Sequence, residues 1–406
     1  MNMIKLLLLV LSLALTPYLF FSGNAHSENV VKQHLDKHPL ANTQLGDPGW
    51  VFDAAKADPR YPDMVEWAKA GVRGGIPFRD ASTIVKTISP GTDNIQGAID
   101  QVKNGGVIIL KSGTYTLNSP VYFKSNIILR GETGNPNDVV ININFRQTWE
   151  GWASKRYGLV MHDVKNAFGI EDVTLFYLVP NLEPKDNTGY SDKWVQGVMN
   201  NDVDRDDLYV GLIKMSGTTS DSWVDNCRLL ESGTDPILTE KTTTHLTFRD
   251  NFVDRAYNKG GRGNAYFDMR GQYILVTGNT IKRIRHLAIE MGAKYVVVTN
   301  NYIEVDVNFH QGDLGHNLVE NNTIRVPEWH RADANHNNWK VFATGNSRQH
   351  QPASSENMLY KNITDLRGEG AKYSDPNVVY AVLKYSIGAY SEKPPIHGTF
   401  YAIKKE

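Results

Sequence analysis

Apolar residues along this chain recur at two periods. Over 94–103, Ile95, Ala98, Ile99 and Val102 share one helical face. Asp93 stands where an N-cap is expected, and Gly105–Gly106 end the run. Beyond it the period falls to two, and Val107–Leu110, Thr114–Leu117, Ile127–Leu129 and Val139–Ile143 predict short strands. From about 157 the pattern repeats. Five segments, DNCRL, DNFVD, GNTIK, NNYIE and NNTIR, each follow a short β run and carry an Asn two places before an apolar or long residue. The Asn residues are 226, 251, 279, 301 and 322, at spacings of 25, 28, 22 and 21. A period in the low twenties with three short strands per repeat predicts a solenoid. Asn side chains stacked at one turn would satisfy each other and the turn backbone. The expected fold is all-β: a single-domain right-handed parallel β-helix. The helix at 94–103 would cap its N-terminal end, where open strand edges otherwise pair with other chains.

The head of the chain, MNMIKLLLLVLSLALTPYLFFSGNAHSEN, has one Lys, an apolar run and then small residues ending at Ala25. It reads as a secretory signal over 1–25, since Pro17 breaks the run and a polar linker follows. Residues 26–90 form an N-terminal extension and cap, and 91–406 the β-helix. Cys227 is the only cysteine, which rules out an internal disulfide and suits a small buried hydrophobe. The insert 178–208 is too long for a plain turn and is expected to wall one side of a groove. Its DVDRD lacks the Gly and Glu of a calcium-binding helix–loop–helix, which leaves a solvated acidic loop. Across 406 residues, 41% hydrophobic and 21% charged content fits a globular protein. A formal net charge of −1 steers it towards neither nucleic acid nor an anionic membrane. We expect an exported monomer with no nucleic-acid partner and no membrane attachment once the signal is removed.

Local charge changes this picture. Between 255 and 286, Arg255, Lys259, Arg262, Arg270, Lys282, Arg283 and Arg285, with His286, face a single acid, Asp268. Such an island suggests an anionic ligand. Lys214, Glu240, Asp268 and Glu290 alternate with apolar neighbours, which places them on the outer face of one sheet, as a column of charge. Lys241 and Arg270 lie ten and nine residues before their Asn, near the same place on successive coils. An exported solenoid with a basic groove suits a linear acidic polysaccharide. Uronate chains break by β-elimination, in which cations neutralise the carboxylate, a base removes the C5 proton and an acid protonates O4. A Lys serves as base when a nearby Arg lowers its pKa, while the Arg stays charged and clamps carboxylates.

The stretch DPILTEKTTTHLTFRDNF…AYFDMRGQYILVTGNTI resembles the segment of the chondroitinase B and alginate lyase β-helix family that holds a catalytic Lys and Arg one coil apart. The architecture is also similar to alginate lyases of polysaccharide lyase family thirty-one. The resemblance implies a polysaccharide lyase, with Lys241 as base and Arg270 as the neutralising or acid-side group. The Lys-to-Arg gap is stretched by the insert RAYNKGGRGN, which adds Tyr257 as an alternative acid and Lys259 as an alternative base. Lys214, Arg262, Tyr266, Arg285, His286, Glu290 and His310 are expected to bind substrate. The acid pair that holds calcium in chondroitinase-like members is represented only by Asp235. No metal or other cofactor is therefore expected, the extra cations standing in for calcium. Trp149, Trp152, Trp194 and Trp329 are candidates for stacking on sugars. Two other readings stand beside the lyase. One is a polygalacturonase-like hydrolase using Asp268, Glu290 and Glu240; the other is a non-catalytic carbohydrate-binding or tailspike-like adhesin.

Overall fold

The computed structural model describes residues 44–48, 50, 52–178, 205–259, 262–326, 341–344, 351–364, 373–401 and 403. The expected signal, most of the insert 178–208, Gly260, Gly261, Trp194 and Trp329 lie outside the described residues.

The period-two runs stack into a parallel β-helix. Among the described residues the strands form a twelve-stranded, an eight-stranded and a nine-stranded sheet, and each coil contributes in turn to all three. Inward side chains line up from coil to coil. Leu159, Ile213, Ile237, Phe267, Leu287 and Val307 make one such column, all fully buried. Each buried side chain of this size contributes roughly 1.5–3 kcal/mol, so the stacked columns carry the fold. At the N-terminal end the helix Ile95–Gln101 turns Ile95, Ala98 and Ile99 onto the core. Its N-cap is Asn94, not Asp93: Asn94 has extended backbone, and its Oδ1 accepts from Gly97 N at 2.5 Å. Asp93 instead accepts from Ser89 N at 2.8 Å.

The Asn ladder exists, with one member displaced. Asn251 donates to Asn279, Asn279 to Asn301, Asn301 to Asn322 and Asn322 to Asn362, at 2.9–3.0 Å. Asn226 is not in it. Strand register pairs Arg228 with Phe252, so Cys227 occupies the ladder position and Asn226 the one before. That earlier position is left-handed at Asp172, Asn226, Asp250, Gly278, Asn300, Asn321 and Lys361. Asn adopts this backbone readily, so the same residue type serves two adjacent places. Cys227 ends the ladder, its N–H donating to Asn251 Oδ1 at 2.9 Å. Its thiol lies 3.3 Å from Asp225 O, and burial pushes that thiol up.

The parallel stack gives way at its C-terminal end to an antiparallel hairpin, Val379–Leu383 with Ser386–Ser391, which finishes the twelve-stranded sheet. Over the outer face of that sheet, Leu45, Tyr61, Met64 and Trp67 pack with Leu275, Leu318, Met358, Phe400 and Tyr401. The two terminal segments are joined directly. Asp53 N donates to Ile403 O at 3.0 Å, Arg60 Nη2 to Pro394 O at 2.9 Å and Ile396 N to Asp58 at 3.1 Å. Buried Glu320 holds the segment from below, accepting from Phe400 N at 2.8 Å and Tyr401 N at 3.1 Å. No helix among the described residues is long and apolar enough to cross a membrane.

Candidate active site on the eight-stranded sheet

Outward positions of the eight-stranded sheet form rows along the stack. One runs Lys214, Leu238, Asp268, Ala288, Asn308, and the next Tyr266, His286, Asp306. Beyond them Glu290 pairs with His310, with Arg270 level on the coil before. The expected outer-face placement of Lys214, Glu240, Asp268 and Glu290 is therefore met, but Asp268 and Glu290 are almost wholly buried. A cleft of about 860 Å³ lies over this face. The chain before the strand Arg156–His162 leans across it, where Lys155 Nζ meets Asp235 at 2.9 Å and Gly263 O at 2.5 Å.

Arg270 organises the floor. Its Nε and Nη2 grip Asp268 at 2.6–3.0 Å, and Nη2 also meets Glu290 at 2.8 Å. Nη1 has no hydrogen-bond partner among the described residues, and Arg270 lines the cleft. Burial raises Asp268 to about 8, with Glu290 adding to the rise and Arg270 opposing it. Burial likewise raises Glu290. His310 Nδ1 lies 2.7 Å from the second Glu290 oxygen. Burial first, then the Arg285 charge, lower His310 to about 4, so its imidazole is neutral near pH 7. Tyr266 packs edge-on to His310 at 6.1 Å and lies under the Arg285 guanidinium at 5.4 Å. Burial pushes its phenol up, which keeps it protonated.

The carboxylates that converge here are already engaged. Asp235 accepts from Tyr266 N at 3.1 Å through one oxygen, and from Lys155 at 2.9 Å and Tyr157 Oη at 3.0 Å through the other. Asp268 and Glu290 hold Arg270 and His310 as above, and Glu240 pairs with Lys214 at 2.7 Å. Their chemistry is to orient the cations and rings that face the cleft, as outer partners do around a metal or a triad. Among the described residues, no group of three His, Cys, Asp or Glu side chains is placed to hold a metal ion.

Lys214, Tyr266, Arg270, Arg285, Glu290 and His310 all line the cleft. His286 lies behind them, hydrogen-bonded to Asp306 and packed on Tyr266 at 5.1 Å. Other expected residues fall elsewhere. Leu238 is level with Asp268, so Glu240, not Lys241, falls level with Arg270. Lys241 is one residue further on, exposed in the turn after Ile237–Thr239 and not among the residues lining the cleft. Tyr257 is buried on the nine-stranded side, its hydroxyl on Glu231. Lys259 is fully buried rather than at a groove edge, and its carbonyl accepts from Arg285 at 3.0 Å. Arg262 is exposed, 6.0 Å from the Trp149 ring.

The basic island also dissolves in three dimensions. Arg283 pairs with Asp254, Lys282 with Glu304 at 3.2 Å and Arg255 with Glu231 at 3.7 Å, all on the nine-stranded side. Each partner comes from a neighbouring coil, twenty or more residues away, where a local count does not reach. Lys155 and Tyr157 were missed for the opposite reason. They precede a coil that carries no Asn signature, although the KRYGLVMH run marks a strand.

No family model matches the chain, and no curated protein matches it. Among solved structures, the rice weevil pectin methyl esterase aligns with a TM-score of 0.43 at 11% identity, over 80% of this chain and all of that one. The Paenibacillus pectate lyase aligns at 0.41 and 11%, over 72% of this chain and 80% of that one. A PL6 alginate lyase in complex with a trisaccharide aligns at 0.39 and 13%, over 70% and 60%. At such scores these likenesses carry no conclusion about chemistry.

Proposed function

We propose that this protein is a secreted polysaccharide lyase that cleaves an acidic uronate polymer, alginate before others, by β-elimination in the cleft of the eight-stranded sheet. The observation that carries this reading is Arg270, a cleft-lining side chain fixed by two buried carboxylates. A preoriented guanidinium donor suits a substrate carboxylate whose charge grows as C5 loses its proton. His310, a cleft-lining imidazole that is neutral near pH 7, is the base that takes that proton. The C5–H electrons form the C4–C5 double bond, the C4–O4 bond breaks, and the protonated Tyr266 phenol supplies the proton to O4. In this reading the roles first given to Lys241, Tyr257 and Lys259 pass to His310 and Tyr266. Lys214 and Arg285 assist at the cleft edges, and no metal takes part.

The hydrolase reading needs carboxyl oxygens that reach the substrate. Those of Asp268 and Glu290 are already engaged with protein groups, and Glu240 is paired with Lys214 at 2.7 Å, which favours elimination. The test is an ultraviolet absorbance screen against alginate, its mannuronate and guluronate blocks, pectate, and chondroitin or dermatan sulfate, with and without chelator. The expected result is an unsaturated product from alginate, insensitive to chelator. New reducing ends without absorbance would replace the lyase with the hydrolase, and binding without products would leave the adhesin.

A further inference from the structure

Trp152 is the most exposed tryptophan among the described residues, at 59%, and it lines the same cleft as Arg270. Large apolar side chains left in the open inside a concave, charged site call for a reason. Several contacts hold this ring in place. Trp149 meets it edge-on at 5.1 Å, and Trp149 is itself set against Tyr209 at 5.1 Å. Lys155 Nζ lies 5.3 Å from the Trp152 centroid and is anchored on Asp235 and Gly263 O. The backbone is fixed as well. Gly151 takes φ 122°, open only to glycine, and Ser154 Oγ closes the turn onto Gly151 O at 2.7 Å and Glu150 N at 3.0 Å.

We propose that Trp152 is the platform of a separate sugar subsite, stacking on the apolar face of a pyranose unit next to the one held by Arg270. The proposal rests on the lyase reading and deepens it, because Asp235 joins the platform to the reacting groups. One Asp235 oxygen takes Lys155 beside the ring, and the other takes the backbone N–H of Tyr266. A flat ring gives area and orientation at little entropic cost, while its CH-facing contact is indifferent to the charge of the sugar. The platform therefore lengthens the stretch of polymer that the cleft holds, without touching the bond that breaks.

The test is Trp152→Ala beside Trp152→Phe, assayed on polymer and on uronate oligosaccharides of increasing length. Trp152→Ala is expected to raise KM on polymer about tenfold, within the range of an aromatic contact, with kcat changed less than about twofold. On the shortest oligosaccharide cleaved, the variant and the wild type should match, and Trp152→Phe should recover most of the loss. An unchanged KM on polymer overturns the subsite while leaving the lyase reading intact. So does a kcat loss equal at every length with a lowered melting temperature, which is the mark of a structural role. A wild type that neither binds nor cleaves any acidic polymer overturns the lyase reading and the subsite together.

Discussion

Arg249 and Arg270 are each gripped by two buried carboxylates, and they differ in the use of their nitrogens. Arg249, on the twelve-stranded sheet, directs Nε and Nη2 to Asp225 at 2.7 and 3.0 Å and Nη1 to Asp47 at 2.7 Å. All three nitrogens are used, and the partner of the last comes from the N-terminal extension. Arg270 makes the equivalent grip on Asp268 and Glu290 with Nε and Nη2 alone, and its side chain lines the cleft. Their side-chain exposures, 5% and 18%, follow from that difference. A closed guanidinium fastens one part of the chain to another. An open one is available to a ligand.

The largest effect should come from breaking the closed member. Arg249→Ala leaves Asp225 and Asp47 buried without their cation and should cost about 3–5 kcal/mol, measured by chemical denaturation. If stability is unchanged, the extension is not held by this ion pair. Arg270→Lys is the sharper test of the open member. A lysine keeps the charge but has no fork with which to hold two carboxylates and present a third donor. Cleavage should fall about a hundredfold, the scale of losing one oriented donor, with only a small shift in melting temperature. Retention of the full rate would remove Arg270 from the chemistry.

The pH profile comes next. His310 sits near 4, lowered by burial and then by Arg285. Acid should protonate the His310 imidazole, so kcat/KM falls as pH drops through about 4, and His310→Gln should abolish cleavage. Stability responds in the same direction, because the unfolded histidine takes up its proton from about 6.5 downwards. His310 therefore contributes stability above that range and loses it between about 6.5 and 4. The smallest effect is expected at Lys241→Ala, with rates within about twofold. A dead Lys241→Ala enzyme with normal substrate binding would return the base to the exposed turn.

The solenoid was legible because its signals are local and repeated. A short β run followed by Asn predicted coils and stacked turns, and both are present. The site was less legible, since it depends on register to a single residue. Counted from their Asn residues, Lys241 at ten falls one place before Arg270 at nine. The turn before Thr244, however, is two residues longer than the one before Gln272, so in register Lys241 falls one place beyond Arg270, in the turn. Asn226 shows the same limit: a left-handed turn residue and a ladder residue are both Asn, so the alignment slipped by one at Cys227. Charge was misread differently. Arg283 and Lys282 look uncompensated along the chain because Asp254 and Glu304 reach them from adjacent coils.

The junction of the two terminal segments has a consequence for how the molecule melts. A linear array of coils ordinarily frays from its ends, each unit depending only on its neighbours. Here the first and last described segments are fastened to each other and to the middle of the stack, through Asp53 with Ile403, Arg60 with Pro394 and Glu320 with Phe400. The extension and the C-terminal segment should therefore detach together, in one step, while the capped N-terminal coils stand outside this junction.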